Sequence, residues 1–169
     1  MKEFRTVDPK DFTLNPFVQI GSEWMLIAAE KDGRANAMTA AWGGLGVMWA
    51  KNVAYIFVRE SRFTKELIDG SETFSLTFFD TAKYRKMLGY MGRVSGRDED
   101  KLAGAGLTLR HADGIPYFDE AKTVLLCRKL SRHTIGPDGF LSDEIPQHYP
   151  TPDYHDMYVG EILQILEEA

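Results

Sequence analysis

Residues 24–39 read WMLIAAEKDGRANAMT, and this stretch decides the fold class. Trp24 to Glu30 is an apolar run of strand length, Asp32-Gly33 is a pair that tolerates positive φ, and Arg34 to Thr39 is the returning strand. A two-residue turn of this kind between extended runs is a strong hairpin signal, because its backbone twist matches that of the strands it joins. Upstream, Phe17 to Ile20 is a further strand candidate. Downstream, Ala40 to Gly46 is a small-residue stretch with three glycines, read as a tight bend. Val53 to Arg59, rich in Val, Ile, Tyr and Phe, reads as another strand. So do Thr73 to Phe79 and Lys122 to Leu130, the latter with an extension to Thr134 left open.

Helical signals are few and short. Ser61 suits an N-cap and Gly70 a stop, with Phe63 and Leu67 on one face between them. Asp80 or Thr81 could cap a helix running through Met91, and Asp98 to Ala103 resembles a short helical turn. Gly136 to Tyr154 holds four of the seven prolines and two glycines, so it reads as a loop or lid. The closing segment, Asp156 to Leu166, carries apolar residues at period two on one side and Tyr158, Ile162 and Leu166 at period four. A strand buried on both faces is the favoured reading. About seven strands without regularly alternating helices argue for a mainly β, antiparallel barrel with helical excursions and against a doubly wound parallel sheet.

A chain of 169 residues with 44% hydrophobic and 27% charged residues fits one ordinary globular domain, residues 1–169. Its net charge of −5 and pI near 5.4 argue against a generic polyanion binder while leaving room for a local basic pocket. One cysteine, Cys127, excludes an internal disulfide. The N-terminal residues lack signal-peptide features, and no apolar run reaches the ~18 residues that span a bilayer. A soluble, cytoplasmic protein is expected.

Two segments carry the candidate chemistry. In Arg59-Glu60-Ser61-Arg62-Phe63-Thr64 a strand gives way to a helix, whose first N–H groups lack internal partners and attract phosphate. Ser61 and Thr64 add hydroxyls, and Arg59 and Arg62 add charge. In Asn36-Ala37-Met38-Thr39-Ala40-Ala41-Trp42-Gly43-Gly44, small residues admit a flat ligand, Asn36 and Thr39 can bond ring heteroatoms, and Trp42 offers an aromatic face or edge. Taken alone, the first also fits a capped helix with solvated arginines, and the second a strand with a glycine-rich bend. Lys101, in the charged run Ser95 to Lys101, could reach a phosphate. The four histidines show no metal-ligand spacing, and no Walker, G-x-G-x-x-G or G-x-S-x-G motif is present.

The order of these pieces resembles the flavin reductase-like family of FMN-binding split barrels, including flavoredoxin-type proteins. The resemblance runs from about Pro16 to Ile165. It rests on Asn36-Ala37-Met38-Thr39, on Val58-Arg59 with Ser61-Arg62-Phe63-Thr64, and on Gly96-Arg97-Asp98 with Asp100-Lys101. Gly106-Leu107-Thr108, Ile115-Pro116, Glu120-Ala121, Cys127, and His155 with Val159-Gly160-Glu161-Ile162 complete it. It implies a homodimer with FMN near the subunit interface. Asn36, Met38, Thr39 and Ala40 would line the isoalloxazine ring, with Trp42 beside it. Arg59, Ser61, Arg62 and Thr64 would hold the phosphate, with Lys101 a further candidate and His155 near the site. The expected activity is an FMN-dependent oxidoreductase using NADH or NADPH and no catalytic side chain. The alternatives are an electron carrier with tightly bound FMN and a non-enzymatic domain that has lost its flavin. The Gly136 to Tyr154 segment is longer and richer in proline than the simplest family pattern, so it could cover the flavin or pack on a partner subunit.

Overall fold

The 24–39 hairpin forms as its turn chemistry dictates: Asp32 and Gly33 adopt φ of 52° and 75° between two paired strands. The computed structural model describes all 169 residues. In chain order the elements are β1 (Phe4–Val7), α1 (Pro16–Gln19), β2 (Met25–Lys31), β3 (Arg34–Ala40), β4 (Gly43–Met48), β5 (Lys51–Arg59) and α2 (Phe63–Gly70). They continue as β6 (Thr73–Phe78), α3 (Thr81–Arg93), α4 (Lys101–Gly104), β7 (Leu109–Ala112), β8 (Ile115–Phe118), β9 (Thr123–Thr134) and β10 (His155–Glu168). No helix is long and apolar enough to cross a membrane.

Every strand pairing is antiparallel. The main sheet runs β3-β2-β6-β9-β10-β5-β4, with β1 added to the far end of β10, and β7 and β8 form a separate hairpin. No ladder joins β3 to β4. Yet Met38 and Ala40 of β3 and Ala54, Ile56 and Val58 of β5 share one core with Ile27, Phe74, Leu76, Leu125 and Tyr158. The sheet is therefore rolled around this core while its two ends stay unpaired. Ala41 and Trp42, the residues between β3 and β4, span the opening.

The central strands are apolar on both faces, which period-two alternation requires when both are covered. In β2, Met25, Ile27 and Ala29 face the inner core, while Leu26 and Ala28 face α3 in an outer cluster with Leu88 and Met91. In β9, Leu125 and Cys127 point inward, and Val124 and Leu126 pack under the β7–β8 hairpin. The closing strand β10 is likewise buried on both sides at Tyr158 and Val159. Gly160 lets it lie there, since a Cβ at that position would run into the Phe74 ring and sit 3.2 Å from the Cys127 Cβ.

Three expectations are corrected. Residues Phe17 to Ile20 are not a strand. Asn15 accepts the Phe17 N–H and Pro16 occupies the first turn, so a short helix forms. The glycine-rich stretch is not merely a bend, because Gly43 to Met48 pairs along β5. The N-cap of α2 is Arg62 rather than Ser61, and no side chain caps that helix.

Candidate functional site

The opening between β3 and β4 leads into a groove with a basic closed end. That end is a pocket of about 180 Å³ lined by Ser61, Arg62, Thr64, Ser95, Arg97 and Lys101, together with Met38 and Thr39. Its wall contains Arg62, Arg93, Arg97 and Lys101 and no carboxylate. Met38, Thr39 and Arg62 also line an adjoining pocket of about 180 Å³, bordered further by Ala40, Ala41, Trp42, Phe57, Arg59 and His155.

Local folding aims the donors at the basic end. Asn36 is buried on β3 and donates its amide to the Thr64 hydroxyl oxygen at 2.8 Å. That bond leaves the Thr64 proton free to be given away. Lys101 is 4% exposed, and its ammonium donates to the carbonyls of Met91 and Val94, both at 3.0 Å, so one of its three N–H groups is uncommitted. Burial, aided by the Arg62 charge, lowers its pKa to about 8. The first N–H groups of α2 add a positive dipole end with no side chain satisfying it. Gly96 lets the 92–97 segment close over the pocket, because a Cβ there would collide with the Asn36 amide and approach Phe63 to 2.8 Å.

The direction of α2 is set by Lys65, the residue after Thr64. Its ammonium lies 2.7 Å from Asp69, 3.0 Å from Asp156 and 3.0 Å from Glu60. Tyr158 donates to Asp69 at 2.6 Å and Thr134 to Asp156 at 2.7 Å. Burial opposes the Lys65 charge, but the three carboxylates outweigh it and hold the pKa above the ordinary lysine value.

The mouth of the groove is aromatic. His155 and Trp42 lie with ring centroids 4.7 Å apart. Tyr149 reaches in from the 136–154 loop, its hydroxyl 2.8 Å from His155 Nδ1. Burial and the nearby Arg59 push the imidazole down to about 4, so it is neutral at physiological pH. The same loop takes up Arg59, whose guanidinium donates to the carbonyls of His148 at 2.9 Å and Asp153 at 3.1 Å and lies over the Tyr149 ring. Ser61 is also engaged, through the Asp153 carboxylate. The Thr39 hydroxyl donates to Leu88 O at 2.6 Å, tying β3 to α3.

Of the eleven site residues expected from sequence, ten border these two pockets: Met38, Thr39, Ala40, Trp42, Arg59, Ser61, Arg62, Thr64, Lys101 and His155. Asn36 stands behind them, supporting Thr64. Sequence reasoning did not single out Ser95 and Arg97, although both fall in the charged run it noted, nor Phe57, Tyr149 and Asp153. Tyr149 and Asp153 lie in the proline-rich segment, where no periodicity orients a side chain.

Residues 17–169 match the model of the flavin reductase like domain. The chain belongs to this family. Among solved structures, it superposes on an FMN-binding domain of a flavin reductases-like enzyme from Shewanella baltica with a TM-score of 0.72. There the identity is 17%, over 99% of this chain and 78% of the other. Flavoredoxin from Methanosarcina acetivorans gives 0.66 at 25% identity, over 86% and 68%. An FMN-binding protein from Thermus thermophilus gives 0.69 at 22%, over 97% and 82%. No curated protein sequence matches it. A flavin reductase-like fold thus frames a groove whose donor set fits a phosphomonoester attached to a flat ring system, the chemistry of FMN.

Proposed function

We propose that the groove holds FMN, with its phosphate in the basic pocket and its ring in the pocket beside Trp42. On this reading the protein is an FMN-dependent oxidoreductase taking electrons from NADH or NADPH. The observation that carries it is the adjacency of the two pockets, which share Met38, Thr39 and Arg62, one basic and free of carboxylates, the other bordered by Trp42, Phe57 and His155. Family membership and FMN-binding neighbours of the same fold support it.

Bound FMN supplies the redox chemistry, accepting a hydride and passing electrons on. The chain binds and orients. Arg62, the Thr64 hydroxyl, the uncommitted Lys101 N–H and the start of α2 hold the phosphate, each charged hydrogen bond contributing about 1.5–3 kcal/mol. Met38, Thr39, Ala40 and Trp42 border the ring, and neutral His155 adds a polar edge without charge. No general acid or base is assigned.

Large apolar side chains left on the surface, Phe17 (85% exposed) and Val47 (72%), support a homodimer that covers them. Light scattering on a sizing column would test this, a monomer refuting it. The buried free Cys127 suits a reducing cytoplasm.

The test of the phosphate site is a pair of titrations. Arg62→Ala with Thr64→Ala should weaken FMN at least about tenfold while changing riboflavin little. Equal losses for both ligands would refute the assignment, and a protein that takes up no FMN would sink the flavin reading itself. A second reading, a flavoredoxin-type carrier, is favoured by the similarity to the Methanosarcina protein. Anaerobic mixing with NADH or NADPH separates the two, since bleaching of the flavin marks the reductase and an unchanged spectrum the carrier.

A further inference from the structure

Residues 92–97 make the closed end of the basic pocket, and this strap is fastened from three directions. Lys101 holds the carbonyls of Met91 and Val94 from within. Arg34, on β3, donates to the Gly96 carbonyl at 2.6 Å. Arg97, on the strap itself, donates to the Ser61 carbonyl at 3.0 Å and pairs with Glu66 of α2. The Arg34 and Arg97 guanidiniums also lie over the ring of Phe63, the first residue of α2, at 4.4 and 5.4 Å from its centroid. Such cation–π contacts add to the hydrogen bonds in holding the strap against the helix start.

A larger recess of about 460 Å³ lies on the far side of the strap and shares only Gly96 and Lys101 with the phosphate pocket. Both residues are buried, and Gly96 sits against the Asn36 amide, so they form a partition rather than a passage. The recess also carries the Glu99 and Asp100 carboxylates, which repel a phosphate. A phosphomonoester ends at its phosphate and needs no exit. In a flavin dinucleotide the same phosphorus carries, through a bridging oxygen, a second phosphate and an adenosine, and these must leave the pocket on some side. The pocket's volume of about 180 Å³ falls below the roughly 300 Å³ at which sites for whole small molecules begin, so it can take a phosphate but not a nucleotide.

We propose that the strap makes this site selective for a terminal phosphate, accepting FMN and excluding FAD, and that Arg34 and Arg97 are the residues that maintain the exclusion. This rests on the flavin reading of the groove and goes beyond it by naming the form of flavin that the closed end rejects. Discrimination comes from a barrier against the wrong ligand rather than from an added contact to the right one. Arg34 is a positioning residue: it borders the recess and not the phosphate pocket, and it acts through the Gly96 carbonyl. Arg97 lines the pocket, so it brings charge to the phosphate as well as closing the strap.

The test is calorimetric titration of the full-length protein with riboflavin, FMN and FAD. The wild type should bind FMN at least about tenfold more tightly than FAD, with FAD no tighter than riboflavin. Arg34→Ala, at an exposed position, should tighten FAD about five- to tenfold while riboflavin, which has no phosphate, stays unchanged. Arg34→Lys, whose ammonium can still reach the Gly96 carbonyl, should keep the FMN-to-FAD ratio near that of the wild type. Arg97→Ala should weaken FMN and lower the same ratio, which gives a second reading should Arg34→Ala fold poorly. Amide exchange at residues 95–97 should quicken in Arg34→Ala as the strap loosens. Equal changes for all three flavins would mean that Arg34 only supports the fold, and would overturn the proposal. So would an FMN-to-FAD ratio unchanged in both arginine variants. FAD bound as tightly as FMN by the wild type sinks this inference alone, whereas no uptake of FMN sinks the flavin reading and this one with it.

Discussion

The carboxylate of Asp153 holds Ser61 twice, accepting its backbone N–H at 3.0 Å and its hydroxyl at 2.6 Å. Burial opposes the Asp153 charge, but these bonds and the neighbouring Arg59 and Arg62 keep its pKa below the ordinary carboxylate value. The Ser61 proton is thus committed to the 136–154 loop, and together with Arg59 it fastens that loop over the groove mouth. Asp153→Ala and Ser61→Ala should therefore each speed proteolytic cleavage within residues 136–154. The double variant should add nothing beyond Asp153→Ala, which removes both bonds, whereas Ser61→Ala alone leaves the backbone bond in place. Additive rates would show that the two residues act separately.

Lys101 makes phosphate binding depend on pH. A bound dianion needs the protonated ammonium, and in the free protein that proton is lost as pH rises through about 8. FMN affinity should then fall as pH rises from about 8, by at most about tenfold per unit for one proton. Riboflavin affinity should stay level across the same range. Lys101→Met should bind FMN more weakly and flatten the profile. Fluorescence titrations at matched ionic strength would check this.

His155 makes stability depend on acid. Its folded-state pKa of about 4 lies below the ordinary histidine value of 6.5. The unfolded chain therefore takes up the proton first, and folding stability falls as pH drops through this window. Urea midpoints of the wild type should decline between about pH 6.5 and pH 4 more steeply than those of His155→Gln. Parallel declines would mean that the imidazole is not the cause.

The β4–β5 turn is built from poor turn residues. Trp49 and Ala50 both carry positive φ, 52° and 56°, in a two-residue connection that Asn-Gly would fit without strain. Each non-glycine residue in that region costs about 1–2 kcal/mol. Replacing the pair with Asn-Gly should raise the unfolding free energy by about 1–2 kcal/mol, measured in urea. An unchanged midpoint would indicate that the Trp49 side chain, 55% exposed here, offsets the strain through a partner it packs on.

The inner strands were legible in the sequence because each is dictated locally. Asp32-Gly33 specifies a turn, Val53 to Val58 is an apolar run, and Thr73 to Phe78 alternates hydroxyl with apolar residues. The elements that escaped are those fixed by distant partners or by exceptions to the usual strand composition. The strand Phe4–Val7 is short and pairs with Glu168 to Ile165 at the other end of the chain. The hairpin of Leu109–Ala112 and Ile115–Phe118 has four-residue strands, although Asp113-Gly114 carried the same turn signal as Asp32-Gly33. In β4 the glycines hid a strand: a Cβ at Gly43 would lie 2.9 Å from the Tyr55 carbonyl oxygen, so the absent side chain there is what allows the strand to lie against β5. Within the site, Arg62 and Thr64 were legible from the strand-to-helix transition. The bond that turns Thr64 outward, from Asn36 across 28 positions of sequence, was not.

The sheet's two ends are joined by Ala41 and Trp42 and by no ladder, and this separates two kinds of sequence change. Substitutions at those positions, or in the 136–154 loop that faces them, break no rung of the sheet and remove nothing from the cores around Ile27 and Tyr158. At the mouth, Ala41, Trp42 and Tyr149 can change what enters the groove without belonging to those cores, whereas Met38 and Ala40 serve both. New binding preferences can therefore be installed at the mouth one side chain at a time, by selection or by design, without first raising the stability of the scaffold to tolerate them.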